Sequence, residues 1–283
     1  MNAKPKFRRD RDQPHNTRVI AISGGKGGVG KSNVTINLSV CLSLLNQRVM
    51  ILDADLGLAN IDVLLGLKVQ RNLEDVYLGK CDLQDVCLQG PHDVRIIPSS
   101  SGTQSMVNLS SQQHAGLVHA FSDFADTIDT LVIDTAAGIS DSVIQFIRAA
   151  QEALIVVCDE PSSLTDAYAL IKLLHRDHGV DEFRIVVNQT RSVKEGIQLY
   201  QRLLNTANQF LDVQLRYEGD IPYDDALREA VKQQQAVTVR SPRSQSAKAF
   251  KRLAERVLDW PVKNHPSGEL EFFVEQLLSG PQT

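Results

Sequence analysis

The chain has 283 residues, 42% of them hydrophobic, and a formal net charge of −4. That is enough apolar material for one large α/β domain or two small ones, and the charge balance argues against a molecule that binds nucleic acid by bulk electrostatics. The four cysteines, Cys41, Cys81, Cys87 and Cys158, are scattered with no C-x-x-C spacing. Apolar runs such as Ala153–Cys158 are strand-length, far short of the ~18 residues of a spanning helix, so a cytoplasmic protein with reduced thiols is expected.

Residues 1–17 are polar and rich in arginine, and read as a disordered basic tail without a signal-peptide core. Val19-Ile20-Ala21-Ile22 is a short β-type run. It leads into Gly24-Gly25-Lys26-Gly27-Gly28-Val29-Gly30-Lys31-Ser32-Asn33, and a helical run follows from Val34 to Leu45. The pattern G-x-x-x-x-G-K-[ST], here Gly25 to Ser32, is a phosphate-binding loop between a strand and a helix. Its glycines let successive N–H groups turn toward phosphate oxygens, Lys31 reaches the β- and γ-phosphates, and the Ser32 hydroxyl serves Mg²⁺. Lys26 places a second cation in the variable gap.

A second strand, 48–52, ends in Asp53-Ala54-Asp55. Carboxylates at the carboxyl end of a strand beside a phosphate loop can orient a water or hold a hydrated metal. Residues 71–88 read as two short amphipathic helices carrying Leu73, Val76, Tyr77 and Leu78, then Leu83, Val86, Cys87 and Leu88. A strand at 94–98, a polar loop at 99–104 and a helix over 111–125 come next. Leu131-Val132-Ile133-Asp134 is a Walker B-like strand whose aspartate would bind the Mg²⁺ shell, and Thr135-Ala136-Ala137-Gly138 supplies a small-residue switch loop. Strand and helix then alternate: strands at 154–158, 184–189 and 214–221, helices at 162–175, 193–210, 222–231 and 248–258. The strands are too uniformly apolar for one-sided exposure, which implies a doubly wound, mostly parallel α/β sheet covered on both faces. One domain is expected over 18–260. Residues 261–283 then form a spacer and a short C-terminal amphipathic helix, with Leu270, Phe273, Val274, Leu277 and Leu278 on one stripe.

The loop with its early lysine resembles the deviant Walker A box of the MinD/ParA group of ATPases. Asp53–Gly66, Ser101–Met106, Cys158–Pro161, Asp166–Lys172 and Leu270–Glu275 are similar to the flagellar-number regulator branch of that group, known as FlhG or FleN. The resemblance implies a MinD-like P-loop ATPase that dimerises around two ATP molecules and hydrolyses them slowly as a timer. It implies that Lys26 crosses to the partner's nucleotide, that Asp55 orients the attacking water, that Asp53 lies near the metal with Ser32 and Asp134, and that Asn188 and the backbone around Pro222 frame adenine. Implied partners are a second copy of the chain, the flagellar GTPase FlhF, switch-ring proteins and a flagellar transcription activator.

Two departures stand out. Pro14 follows Asp12-Gln13 where some members carry a GTPase-stimulating helix, and proline would end that helix early. The polar side of the C-terminal stripe carries Glu269, Glu271 and Glu275 rather than lysines. Peripheral contact with the inner membrane or cell pole and docking on protein are therefore both open. Two alternatives of other classes are a ParA-like partition ATPase using Arg240, Arg243, Lys248 and Lys251 on DNA, and a metabolic P-loop enzyme with a small-molecule acceptor.

Overall fold

The computed structural model describes residues 17–55, 60–98 and 127–261, together with Phe121, Phe124 and Val274. The basic tail except Thr17, the 99–104 loop, most of the helix expected at 111–125 and most of the C-terminal stripe lie outside the described residues. Among the described residues the strands are β1 (Arg18–Ser23), β2 (Val49–Ala54), β3 (Leu88–Gln89), β4 (Arg95–Ile97), β5 (Thr130–Thr135), β6 (Glu152–Cys158), β7 (Glu182–Thr190) and β8 (Gln214–Pro222). They form one eight-stranded sheet in the order β3-β4-β2-β5-β1-β6-β7-β8. Every pairing is parallel except β3 with β4. Leu88 thus belongs to an edge strand and not to the helix expected there. The run Val86-Cys87-Leu88 is apolar without a period, and chain reversal at Gly90 lets it pair with Ile96.

The central strands β2, β5 and β6 are buried along their whole length. Alternation of side chains across the pleat sends Ile20 and Ile22 of β1 to one face and Val19 and Ala21 to the other. The first face is covered by α1 (Lys31–Leu44), α2 (Ile61–Leu65), α8 (Asp225–Lys232), α9 (Val237–Arg240) and α10 (Gln245–Asp259). The second takes α3 (Leu73–Tyr77), α4 (Leu83–Val86), α5 (Asp141–Ala149), α6 (Pro161–His178) and α7 (Val193–Phe210). Val274, from the C-terminal stripe, is buried in the second face among Leu73, Leu83, Ile97 and Phe121. That residue docks on its own chain; Leu270, Phe273, Leu277 and Leu278 lie outside the described residues. Among the described residues no helix is long and apolar enough to cross a membrane.

Beneath the sheet, at the amino ends of the strands, sits a buried ionic cluster. Arg184 of β7 donates through Nε to Glu152 and through Nη1 to Glu218, both at 2.7 Å, and its guanidinium lies 3.9 Å from the centre of the Trp260 ring. Arg18 donates to the carbonyls of Val257 and Trp260, so the last turn of α10 is fastened under β1, β6, β7 and β8. Burial would lower the pKa of Arg184, but its hydrogen bonds to the two glutamates more than offset this and leave it raised. Removing the cation would take from two buried carboxylates the donor they share. Arg184→Ala is therefore expected to cost about 3–5 kcal/mol, read in a thermal melt as a Tm lower by roughly 10 °C. A change below about 2 °C would show that the cluster is not needed to hold α10.

Candidate functional site

The parallel strands end together along one edge of the sheet, and the phosphate loop leaves β1 at its centre. Ile22 of β1 is paired with Asp134 of β5, and Asp134 with Asp53 of β2. On the other side, Cys158 of β6 is paired with Asn188 of β7, and Asn188 with Ile221 of β8. Backbone register alone therefore lines up Asp53, Asp134 and Asn188 beside residues 24–32.

At Gly25 and Gly30 the loop tolerates nothing larger than glycine. Gly30 caps α1 in the left-handed region at φ 93°, and a Cβ there would stand 2.2 Å from the Asn188 amide nitrogen. A Cβ on Gly25 would sit 2.2 Å from the backbone of Asp166 in α6. No side chain caps α1, and its first turn holds no acid. Its leading N–H groups and positive dipole end are thus offered to an anion. The switch loop is tied on, with the Gly138 N–H donating to the Gly24 carbonyl at 3.2 Å and the Thr135 hydroxyl to the Ile22 carbonyl at 3.1 Å.

Lys31 is buried at the head of α1. Burial lowers its pKa, and the nearby carboxylates of Asp134 and Asp55 act against that. The Thr35 hydroxyl donates to Asp134 Oδ1 at 3.0 Å, and the nearby Ser32 side chain, like Thr35, acts to lower the pKa of that carboxyl. Asp134 Oδ2 is buried with no hydrogen-bond partner among the described atoms. An orphaned carboxylate oxygen beside a serine hydroxyl suits a hard cation, and Mg²⁺ takes few protein ligands while keeping waters and phosphate oxygens. The described residues contain no cluster of three His, Cys, Asp or Glu that could hold a metal.

Asp53 is placed differently from its neighbour. Its Oδ1 accepts the Asp55 N–H at 3.1 Å, and its Oδ2 accepts the N–H groups of Asn60 at 3.2 Å and Ile61 at 3.3 Å. Those contacts fix residue 55 on one side and the start of α2 on the other. Burial, with the Asp134 charge second, pushes Asp53 up to about 7, and burial pushes Asp134 up to about 6. Lys26 lies on the rim, where its ammonium donates to Glu160 at 2.5 Å and to the Ser162 hydroxyl at 2.9 Å. Asn188 Nδ2 donates to the Val29 carbonyl at 2.8 Å. Pro222 closes β8, and the next residue, Tyr223, donates its N–H to the Thr190 carbonyl. Beside these strand ends is a cavity of about 510 Å³ lined by Cys158, Asp159, Glu160, Gln189, Arg191, Glu195 and Tyr223. Sequence reasoning passed over Thr35, although three residues after Ser32 is the same helix face.

The family model for ParA, described as the NUBPL iron-transfer P-loop NTPases, matches residues 15–258. This chain belongs to the ParA/MinD family of P-loop ATPases. Within the family it is 58% identical over 269 residues to the antiactivator FleN of Pseudomonas aeruginosa, covering 95% of this chain and 96% of that protein. It is 32% identical to the flagellum site-determining protein YlxH of Helicobacter pylori, over 94% of this chain and 92% of that one. Among solved structures it is similar to the septum site-determining protein MinD of Pyrococcus horikoshii complexed with Mg-ADP. The TM-score there is 0.67 at 29% identity, covering 85% of this chain and 96% of that one. The chain is a MinD-like ATPase of the FleN group.

The raised carboxyls give a pH signature. Asp53 holds its proton in the folded state well above the ordinary value, so the native protein binds more protons than the unfolded chain between roughly pH 4 and 7. Stability from this group is full below that window and is lost as pH rises through about 7. In thermal melts with a chelator, the Tm advantage of wild type over Asp53→Asn should shrink from pH 5 to pH 8. An advantage that grows with pH would contradict the raised value.

Proposed function

We propose that this ATPase is a dimerisation switch that sets flagellar number or placement. Its phosphate loop, Gly24 to Ser32 with Asn33, wraps the triphosphate with backbone N–H groups, and Lys31 meets the β- and γ-phosphates. Ser32 and the free oxygen of Asp134 hold Mg²⁺, whose charge would neutralise the phosphates when bound. Asp55, anchored through Asp53, orients water in line with the γ-phosphate. The cavity bounded by Gln189, Arg191 and Tyr223 takes the base, with Asn188 and Pro222 behind it. Catalysis in such a site is positioning and charge stabilisation.

The observation that carries the reading is Lys26. It is exposed on the rim and held by Glu160 and Ser162 of its own chain, contacts worth little at a solvated surface. A second copy presenting its nucleotide offers Lys26 a stronger, multiply charged partner. ATP-bound subunits then pair, and hydrolysis lets them part. The names antiactivator and flagellum site-determining protein, borne by relatives 58% and 32% identical, support an output on flagella. We take a flagellar transcription activator, the GTPase FlhF and switch-ring proteins as the partners, with the cytoplasm or its membrane face as the place of action.

Replacing the chromosomal gene by Lys26→Ala should leave ATP binding to the purified protein measurable, remove ATP-dependent dimers in ultracentrifugation, and raise the flagellar count per cell, as deletion should. Unchanged flagellation on deletion would overturn the output assigned here. Undiminished dimers in the variant would overturn the role of Lys26.

A further inference from the structure

Asn188 and Gln189 stand just before Thr190, the last residue of β7, against the outside of the phosphate loop, and their side chains do more than border a base pocket. Asn188 is buried. Its Nδ2 donates to the Val29 carbonyl at 2.8 Å, and its Oδ1 accepts the Gln189 N–H at 2.9 Å. A carbonyl at one end and an N–H at the other fix the orientation of this amide, since a flip would set like against like at both. Gln189 stands in the left-handed region at φ 61°, a conformation that costs a non-glycine residue on the order of 1 kcal/mol. That turn accompanies a register shift against β8 between Asn188 and Thr190. It brings Gln189 Nε2 to 3.4 Å from the Gly28 carbonyl. Two consecutive side-chain amides therefore hold two consecutive carbonyls of the loop.

We propose that Asn188 and Gln189 are positioning residues for phosphate binding, acting through the peptide planes of the loop. In a trans peptide the carbonyl and the following N–H point in opposite directions, and no cis bond is present among the described residues. Drawing the Val29 carbonyl outward turns the Gly30 N–H inward, and drawing the Gly28 carbonyl outward does the same for the Val29 N–H. The donors are thus set before the anion arrives, which lowers the cost of ordering them on binding. Gly30 is required by the same contact, because its missing Cβ is what lets the Asn188 amide approach. Asn188 thereby couples the base side of the site to its phosphate side, and its direct effect falls on phosphate.

The inference rests on residues 24–32 being the phosphate site, and the experiment separates the two. Binding of Mg-ATP and of inorganic tripolyphosphate, which has no base, is measured by calorimetry on the full chain for wild type, Lys31→Ala, Asn188→Ala and Gln189→Ala. Asn188→Ala should weaken both ligands by a similar factor of about 10, and Gln189→Ala both by about 3, in line with the loss of one buried and one exposed hydrogen bond. Gln189 is exposed, so its variant carries the test if Asn188→Ala does not fold. A purely structural role would lower Tm and leave the affinities of the folded protein unchanged. Weakened ATP binding with intact tripolyphosphate binding would make Asn188 a base contact and overturn the proposal. Intact tripolyphosphate binding in Lys31→Ala would remove the phosphate site itself and the proposal with it.

Discussion

A phosphate loop needs its backbone N–H groups turned inward and left without partners, so it cannot be held by the hydrogen bonds that hold other loops. It has to be held by its carbonyls, by the strand it leaves and by the helix it enters. The carbonyls of Gly24, Gly28 and Val29 accept from Gly138, Gln189 and Asn188, groups on two segments, the loop after β5 and the end of β7. Each segment sits at the carboxyl end of the sheet because β1 lies between β5 and β6 with β7 beyond. The buried strands, the helices on both faces and the ionic cluster under β7 keep those ends in register. A loop of glycines is thereby made rigid without losing its donors.

The charges follow from the same placement. Lys31, Asp134 and Asp53 are brought out of water by the sheet, and each is shifted toward its neutral form by that burial. In the proposed binding mode a triphosphate with its cation would restore what burial removes, with phosphate set against Lys31 and the cation against Asp134. Ligand binding and the ionisation of these groups are therefore one linked event. Lys26 and Glu160 stay outside it, paired with each other on the solvated rim.

The sequence made much of this legible, and the exceptions share a cause. Helix 193–210 is found with the ends expected, because Ser192 caps it through the Glu195 N–H and one face is apolar. The loop at 24–32 and the run into Asp134 carry their chemistry in contiguous residues, so spacing suffices. Four-residue α9 and two-residue β3 are too short for any period to register. The carboxylate of Asp53, expected near the metal, also accepts backbone N–H groups up to eight residues on, contacts that no pattern of side-chain types announces. The amide of Asn188 meets Val29 across 159 residues of chain, and Lys26 meets Glu160 across 134. Such contacts depend on which strands become neighbours, and that is decided by packing of the whole sheet rather than by local pattern.

The central claim is that hydrolysis belongs to a pair of subunits, each lending Lys26 to the other. It is tested most directly by measuring ATP turnover per subunit while the protein is diluted at saturating Mg-ATP. Turnover that falls steeply on dilution and rises to a plateau at high concentration is the result expected. Turnover per subunit that stays constant across the whole range would show a complete site within one chain and contradict the account.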